Sequence, residues 1–356
     1  MADLGLSCPA EYELIPPPNP PYSKRMAIDG KRRILVTGAA GMIGSAIVWR
    51  LNRLGYDRIL VADKLDTTEK WRNLVPLRFL DYIDAGELMN TRHALTDIST
   101  VFHLGACSST TEKDSAFLME NNFEYTKKLA HWALEKNARF VYASSAATYG
   151  AREDDFREGL LLDSLRPLNM YGYSKHLFDQ YAERAGLLDR LIGMKYFNVF
   201  GPNEDHKGDM RSVVHKAFHQ IRSTGKLELF KSHRADFADG CQQRDFLYVK
   251  DAAAMTVRLA EVAPGGLYNL GSGKAHTWLD LAYAIFAALE LEPKIEFIPM
   301  PEVLRGKYQY RTCATIEKLR GAGYTEPITP LAASVADYVR NYLMRDQRLG
   351  DETLSA

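Results

Sequence analysis

Apolar positions change rhythm along this chain, and the changes outline its elements. "RRILVTG", from Arg32, is a β-branched run that stops at a glycine, and "SAIVWRLNRLG" behind it has helical spacing up to Gly55. "DRILVAD" repeats the strand pattern and stops at Asp63. "STVFHLGA" reads as a further buried strand, "FLMENNFEYTKKLAHWALEKN" as a helix and "RFVYASSA" as another strand. Strands alternating with helices at this spacing predict an α/β fold, a doubly wound parallel sheet covered by helices on both faces.

The rhythm breaks after "RLIGMKYFNVFGP". Residues 201–245 are polar and charged, whereas "YVKDAAAMTVRLAE" reads as one more helix of the sheet domain and "GLYNLGSG" as one more strand. From about Lys274, helices mix with a Pro-rich strand, "KIEFIPMP". The predicted organisation is an irregular N-terminal arm over 1–30, a nucleotide-binding domain over 31–200 that recaptures about 241–272, a smaller α/β substrate lobe from about 201–240 and 273–346, and a tail over 347–356. The arm carries "IPPPNPPY", an extended polyproline-like stretch with no apolar signal core.

Composition narrows the partners. The 356 residues carry 45 basic and 45 acidic side chains, so no net charge steers the chain to nucleic acid or anionic lipid. No apolar run approaches the roughly 20 residues a membrane span needs. The four cysteines (Cys8, Cys107, Cys241, Cys313) form no C-x-x-C pair, so neither a disulfide framework nor a metal site is expected, and a reducing cytoplasm is the expected compartment.

"LVTGAAGMIGSAIV" sets Gly38, Gly41 and Gly44 between a strand and a helix. The first glycine permits a tight turn, the second a close approach of backbone to pyrophosphate, and the third close helix–strand packing. The helix N-terminus offers its N–H groups to the phosphates. This is a Rossmann-type dinucleotide turn. Asp63 lies where an acid meets the adenosine ribose hydroxyls and alone favours NAD, but Lys64 and Lys70 follow and would compensate a 2′-phosphate. Asp81 and Asp84 of "LDYID" read as adenine-side contacts or as caps.

"NMYGYSKHLFDQ" raises a choice between two tyrosines. In a helix, Tyr171 and Lys175 are i and i+4 and share a face, while Tyr173 is turned by about 200° toward Leu177 and Tyr181. That second stripe is apolar and reads as the packed side, leaving Tyr171 as the acid–base candidate. A nearby ammonium favours a phenolate. Ser145, at the end of the strand "YASSA", is placed to hydrogen-bond a substrate oxygen.

Together, the three glycines, "HLGA" at 103–106, Ser145, Tyr171 and Lys175 resemble the extended short-chain dehydrogenase/reductase family of nucleotide-sugar epimerases and dehydratases, over nearly all of 31–345. "GACSSTTEKD", "YASSAATYG" and "YFNVFGPNEDHKG" are similar to the ADP-heptose branch of that family. The resemblance implies an isomerase with NADP as cofactor (NAD as the alternative) and ADP-heptose as substrate. It also implies a role in lipopolysaccharide core synthesis and a homo-oligomer, up to a pentamer.

It further implies that Gly38, Gly41, Met42, Ile43, Gly44, Asp63, Lys64, Lys70, Leu104, Gly105, Ala106, Cys107, Ser108, Asn121, Val199, Lys175, Tyr171 and Lys207 line the dinucleotide. Ser145, Asn198, Asp209, Lys216, Phe230, Arg244 and Tyr308 would contact the sugar nucleotide. Tyr171 and Lys207 would be the two acid–base groups, with Ser145 and Lys175 assisting. An epimerase that inverts a non-acidic carbon works by transient oxidation, and two groups then serve the two faces.

Departures from the family pattern fall at Ala85, where the family has a lysine, at Lys216, where it has a histidine, and in a longer 231–243. A UDP- or GDP-sugar 4-epimerase stays open, as does a non-catalytic dinucleotide sensor. The alanines of "SSAATYG" count against a dehydratase, which carries Asp-Glu there.

Overall fold

The computed structural model describes residues 28–306 and 308–353, so most of the expected N-terminal arm and the last three residues lie outside the described residues. In chain order the strands are β1 (Arg33–Thr37), β2 (Ile59–Asp63), β3 (Asp81–Asp84), β4 (Ile98–His103), β5 (Arg139–Ser145), β6 (Leu191–Tyr196), β7 (Asn198–Phe200), β8 (Leu227–Phe230), β9 (Gln243–Tyr248), β10 (Gly266–Leu270), β11 (Ala275–Thr277) and β12 (Ile295–Ile298). The longer helices are α1 (Met42–Arg53), α2 (Tyr125–Glu135), α3 (Met170–Arg184), α4 (Val213–Thr224), α5 (Val249–Val262) and α6 (Trp278–Leu289).

Seven strands form one parallel sheet in the order β10-β6-β5-β4-β1-β2-β3. Its central strands are buried and mostly apolar because helices cover both faces. Ala46 and Ile47 of α1 share a core with Ala253 and Val257 of α5. Leu129 and Ala133 of α2 share another with Phe178 and Ala182 of α3. Strand order reverses between β1 and β4, and ligands in open α/β sheets bind at the carboxyl ends beside such a reversal.

Three stretches differ from the pattern-based expectation. Residues 198–200 and 243–248 do not extend the main sheet. The Phe197 N–H donates to Leu270 O at 3.0 Å, and from Asn198 onward the chain pairs instead with β9, giving a separate sheet β11-β9-β7. The predicted helix over 117–137 is interrupted by a π-helical stretch, Met119–Glu124, between a short turn and α2. Such stretches often mark functional sites. The segment expected as a tail is packed at its start: Leu349 is buried, its N–H donates to Asn203 Oδ1, and Arg348 pairs with Asp205.

Candidate active site

The turn after β1 is built by backbone clearance. Gly38 has φ +66°, and a Cβ there would lie 2.6 Å from Gly105 N; a Cβ on Gly44 would lie 2.0 Å from Gly38 O. Neither position accepts a side chain. Around Gly41 a Cβ would meet only Gly38 O, at 3.1 Å, so the outer side of the turn is open. Gly41 caps α1 without any side-chain hydrogen bond, and the first turn, opening with Met42 and Ile43, holds no acid. An open glycine cradle and a bare helix N-terminus fit a pyrophosphate.

Asp63 ends β2 beside this cradle. Its Oδ2 accepts from Ala40 N–H (2.8 Å), and its Oδ1 accepts from Lys64 N–H (2.7 Å) and pairs with Lys70 Nζ (2.9 Å). Lys70 is largely buried, with 16% of its side chain exposed, while the Lys64 side chain is exposed. Asp84 caps the helix behind β3 through Gly86 N–H.

Across the crevice, the loop after β4 runs through Leu104, Gly105, Ala106, Cys107 and Ser108. Leu104 N–H donates to Thr37 O, and Asn122 grips Cys107 at both its N–H and its carbonyl (2.9 Å each). Asn121 spends its amide on Phe117 O. His103, at the end of β4, sits between the hydroxyls of Thr37 and Thr126; burial, with the Lys175 charge adding, pushes its pKa down to about 3, so it is neutral.

Helix α3 starts at the Asn169 cap, whose side chain accepts from Gly172 N–H. Gly172 lets the helix rest on the turn after β5, since a Cβ there would already touch Ala147 O at 3.0 Å. Tyr171 therefore meets Ser145. Burial raises its pKa, and the hydrogen bond with Ser145 works against that. Lys175 is buried with its ammonium on Ala143 O (2.9 Å), and desolvation takes it down to about 8 while Asp179 pulls the other way.

The face of α3 expected to pack is a correction: Tyr173 is 44% exposed, and the buried face carries Lys175, Phe178, Asp179 and Ala182. A buried lysine with a counter-charge one turn away outweighs the apolar stripe.

Lys207 lies on a one-turn stretch, Asp205–Met210, with Nζ at 3.8 Å from Met42 Sδ over the start of α1. Burial lowers its pKa, and Glu204 opposes this. Asn198, Val199, Met210, Arg211, Phe246 and Trp278 line a cleft of about 220 Å³. Beside it, Arg244 is buried against the rings of Tyr308 (4.9 Å) and Trp278 (5.7 Å), and Trp278 Nε1 donates to Tyr308 Oη. Phe230, at the end of β8, is half-buried outside that lining. Lys216 and Asp209 are exposed, and the Lys216 ammonium donates to Asp209 O, so both interact with each other.

Asn122 and the pair Asp179–Lys195 escaped the sequence reading. Asp179 is i+4 from Lys175, and Lys195 is a charge inside the apolar run "LIGMKYF"; both signals were available.

These features define the class. Residues 34–271 match the NAD dependent epimerase/dehydratase family, and the chain belongs to it. It is 51% identical over 314 residues to the ADP-L-glycero-D-manno-heptose-6-epimerase of Nitratidesulfovibrio vulgaris (strain DP4), covering 87% of this chain and 97% of that one. The enzyme of the same name from Fusobacterium nucleatum subsp. nucleatum is 45% identical, over 88% and 98% of the two chains.

Among solved structures, the ADP-L-glycero-D-manno-heptose-6-epimerase of Helicobacter pylori matches with a TM-score of 0.75 at 25% identity, covering 87% of this chain and 96% of that one. The UDP-glucuronic acid 4-epimerase of Bacillus cereus in complex with NAD matches with a TM-score of 0.70 at 25% identity, over 87% and 99%.

Proposed function

We propose that the protein interconverts ADP-D-glycero-D-manno-heptose and ADP-L-glycero-D-manno-heptose by oxidation and re-reduction at C6. The observation that carries the substrate is the 51% identity along 87% of the chain to an enzyme of that name. A bound nicotinamide dinucleotide supplies reversible hydride acceptance. The open cradle at Gly41, Met42 and Ile43 would hold its pyrophosphate, and Asp63 with Lys64 and Lys70 its adenosine ribose.

The chain's own residues manage the proton and the sugar. Ser145 orients the reacting oxygen toward Tyr171. Tyr171, as phenolate beside the Lys175 ammonium, takes the C6 hydroxyl proton on one face. Lys207, desolvated and so less firmly protonated than a surface lysine, exchanges the proton on the other face. C6 of a heptose is exocyclic, so turning a small side arm between two proton routes presents both faces. Arg244 and Tyr308, with Asn198 nearby, would hold the nucleotide diphosphate.

NADP is the reading for the cofactor. Lys70 neutralises the Asp63 carboxylate that would repel a 2′-phosphate, and Lys64 adds a second cation. No helix among the described residues is long and apolar enough to cross a membrane. The proposal includes a cytoplasmic site of action, a step in making lipopolysaccharide core heptose, and a homo-oligomer up to a pentamer. The assembly is measurable by sedimentation velocity.

The test is NMR of ADP-D-glycero-D-manno-heptose with the purified protein and no added cofactor, run beside UDP-galactose. Growth of the L-glycero signals supports the proposal. Turnover of UDP-galactose alone would replace it with a 4-epimerase. Mass spectrometry of the dinucleotide released on denaturation reads the cofactor. If NAD is found, and replacing Lys64 and Lys70 leaves its binding unchanged, the NADP assignment is wrong.

A further inference from the structure

One turn beyond Lys175 on α3, Asp179 is 0% exposed, and its partner Lys195 on β6 is 1% exposed. Asp179 Oδ2 accepts from Lys195 Nζ at 2.7 Å and from Ser144 Oγ at 2.8 Å, and Oδ1 accepts from Tyr142 Oη at 2.9 Å. Lys195 also donates to Thr148 Oγ1 at 2.6 Å and lies 5.2 Å from the centre of the Tyr149 ring. Removing two charges from water costs several kcal/mol per ion, and a buried pair is commonly no more stabilising than apolar residues of the same volume. Stability alone therefore gives no reason for this one.

Its place gives one. Tyr142 and Ser144 flank Ala143, whose carbonyl receives the Lys175 ammonium, and Ser145 follows directly. The pair thus ties β5 to α3 on both sides of the Lys175 contact. The groups around Lys175 are Asp179 on its own helix, Cys107 on the loop after β4 and the neutral His103 on β4, with Lys195 behind Asp179 and Tyr171 one turn back on the same helix. Among these, Asp179 is the carboxylate, and it is paired with Lys195.

We infer that Asp179, held in place by Lys195, is a positioning residue that keeps the Lys175 ammonium charged and seated on Ala143, so that Tyr171 can act as a phenolate. This rests on the roles given above to Tyr171 and Lys175. Burial alone drives Lys175 toward the neutral amine, and the Asp179 carboxylate opposes it more strongly than Cys107 does. Lys195 meters that influence by sharing the carboxylate.

The experiment is the pH profile of kcat for the dinucleotide-loaded protein with ADP-heptose. Asp179→Asn should move the alkaline limb to lower pH by about one unit, because Lys175 loses its proton earlier. Lys195→Met should move it to higher pH, since the carboxylate then acts on Lys175 unshared. The double variant, which leaves no unpaired charge in the core, should fall between Asp179→Asn and the parent protein. It carries the test if a single variant fails to fold by circular dichroism.

Folded variants with lower rates but an unmoved limb would show that the pair is only structural, and the inference would fall. Lys175→Met is the separate control. If it keeps both normal turnover and the parent's limb, the assigned role of Lys175 is wrong and the inference falls with it. If it is inactive while the Asp179 and Lys195 variants shift oppositely, both stand.

Discussion

The two groups proposed to move protons are held in opposite ways. Tyr171 stands on a regular helix, α3, packed on the sheet through Gly172, Lys175 and Asp179, and its Ser145 partner ends an interior strand. Lys207 stands on a one-turn stretch that contains Gly208 at φ +53°, and its ammonium lies 3.8 Å from the Met42 sulfur.

What steadies that stretch comes partly from far along the chain. Glu204 is wholly buried and accepts from Ser212 and from Tyr338, while Asp205 is held by His215 and Arg348. Both lysines are desolvated, Lys175 to about 8 and Lys207 downward with Glu204 resisting. A residue placed by its own helix takes its direction from neighbours three and four positions away, and here needs only the adjacent end of β5 besides. A residue placed by a loop depends also on Tyr338 and Arg348, more than a hundred positions away, and can be loosened without touching the site.

The largest effects should come from the two groups themselves. Tyr171→Phe and Lys207→Met should each lower epimerisation by about 10²–10⁴-fold, the usual contribution of a general acid–base group, with bound dinucleotide retained. Each variant should still run one half-reaction on an aldehyde analogue, followed by NMR. Near-normal turnover in Lys207→Met would break the comparison and leave Tyr171 as the sole acid–base group.

Loosening the loop from a distance should cost less. Arg348→Met removes the cation on Asp205 without reaching the cleft. It should lower kcat by about tenfold through misplacement of Lys207 while sparing the Tyr171 half-reaction. An equal loss in both half-reactions would mean that Arg348 supports the whole lobe.

In the parent protein, the rate should fall as pH rises through about 8. Lys175 is charged below that value and neutral above it, and its charge supports the phenolate. A plateau extending to pH 10 would contradict the assignment.

The smallest effects separate shape from chemistry. Gly208→Ala places a Cβ in open space but at φ +53° and ψ −126°, backbone that residues other than glycine seldom adopt, so it should cost about 1–3 kcal/mol of stability, read from thermal melting. Tyr173→Phe should change turnover by less than about twofold, because that ring is exposed and lies off the Tyr171–Lys175 face.

Much of this molecule was legible from short spacings. Gly38, Gly41 and Gly44 after an apolar run, Asp63 at the next strand end, and Tyr171 four residues before Lys175 each encode local backbone geometry: a turn, a strand end, a helix face. Local geometry depends on nearest neighbours, so the alternating apolar runs were enough to predict the parallel α/β sheet, and these spacings to predict its glycine turn and the shared face of Tyr171 and Lys175. Tertiary structure decided the rest. It turned Tyr173 outward and Asp179 inward, because a buried carboxylate needs Lys195 from a strand that only sheet pairing brings near. It drew β7 and β9 out of the main sheet, paired Lys70 with Asp63, and laid Arg348 against Asp205 beside Lys207. Each of these is settled by desolvation and charge pairing between residues distant in the chain, and such energies exist only once the chain has closed on itself.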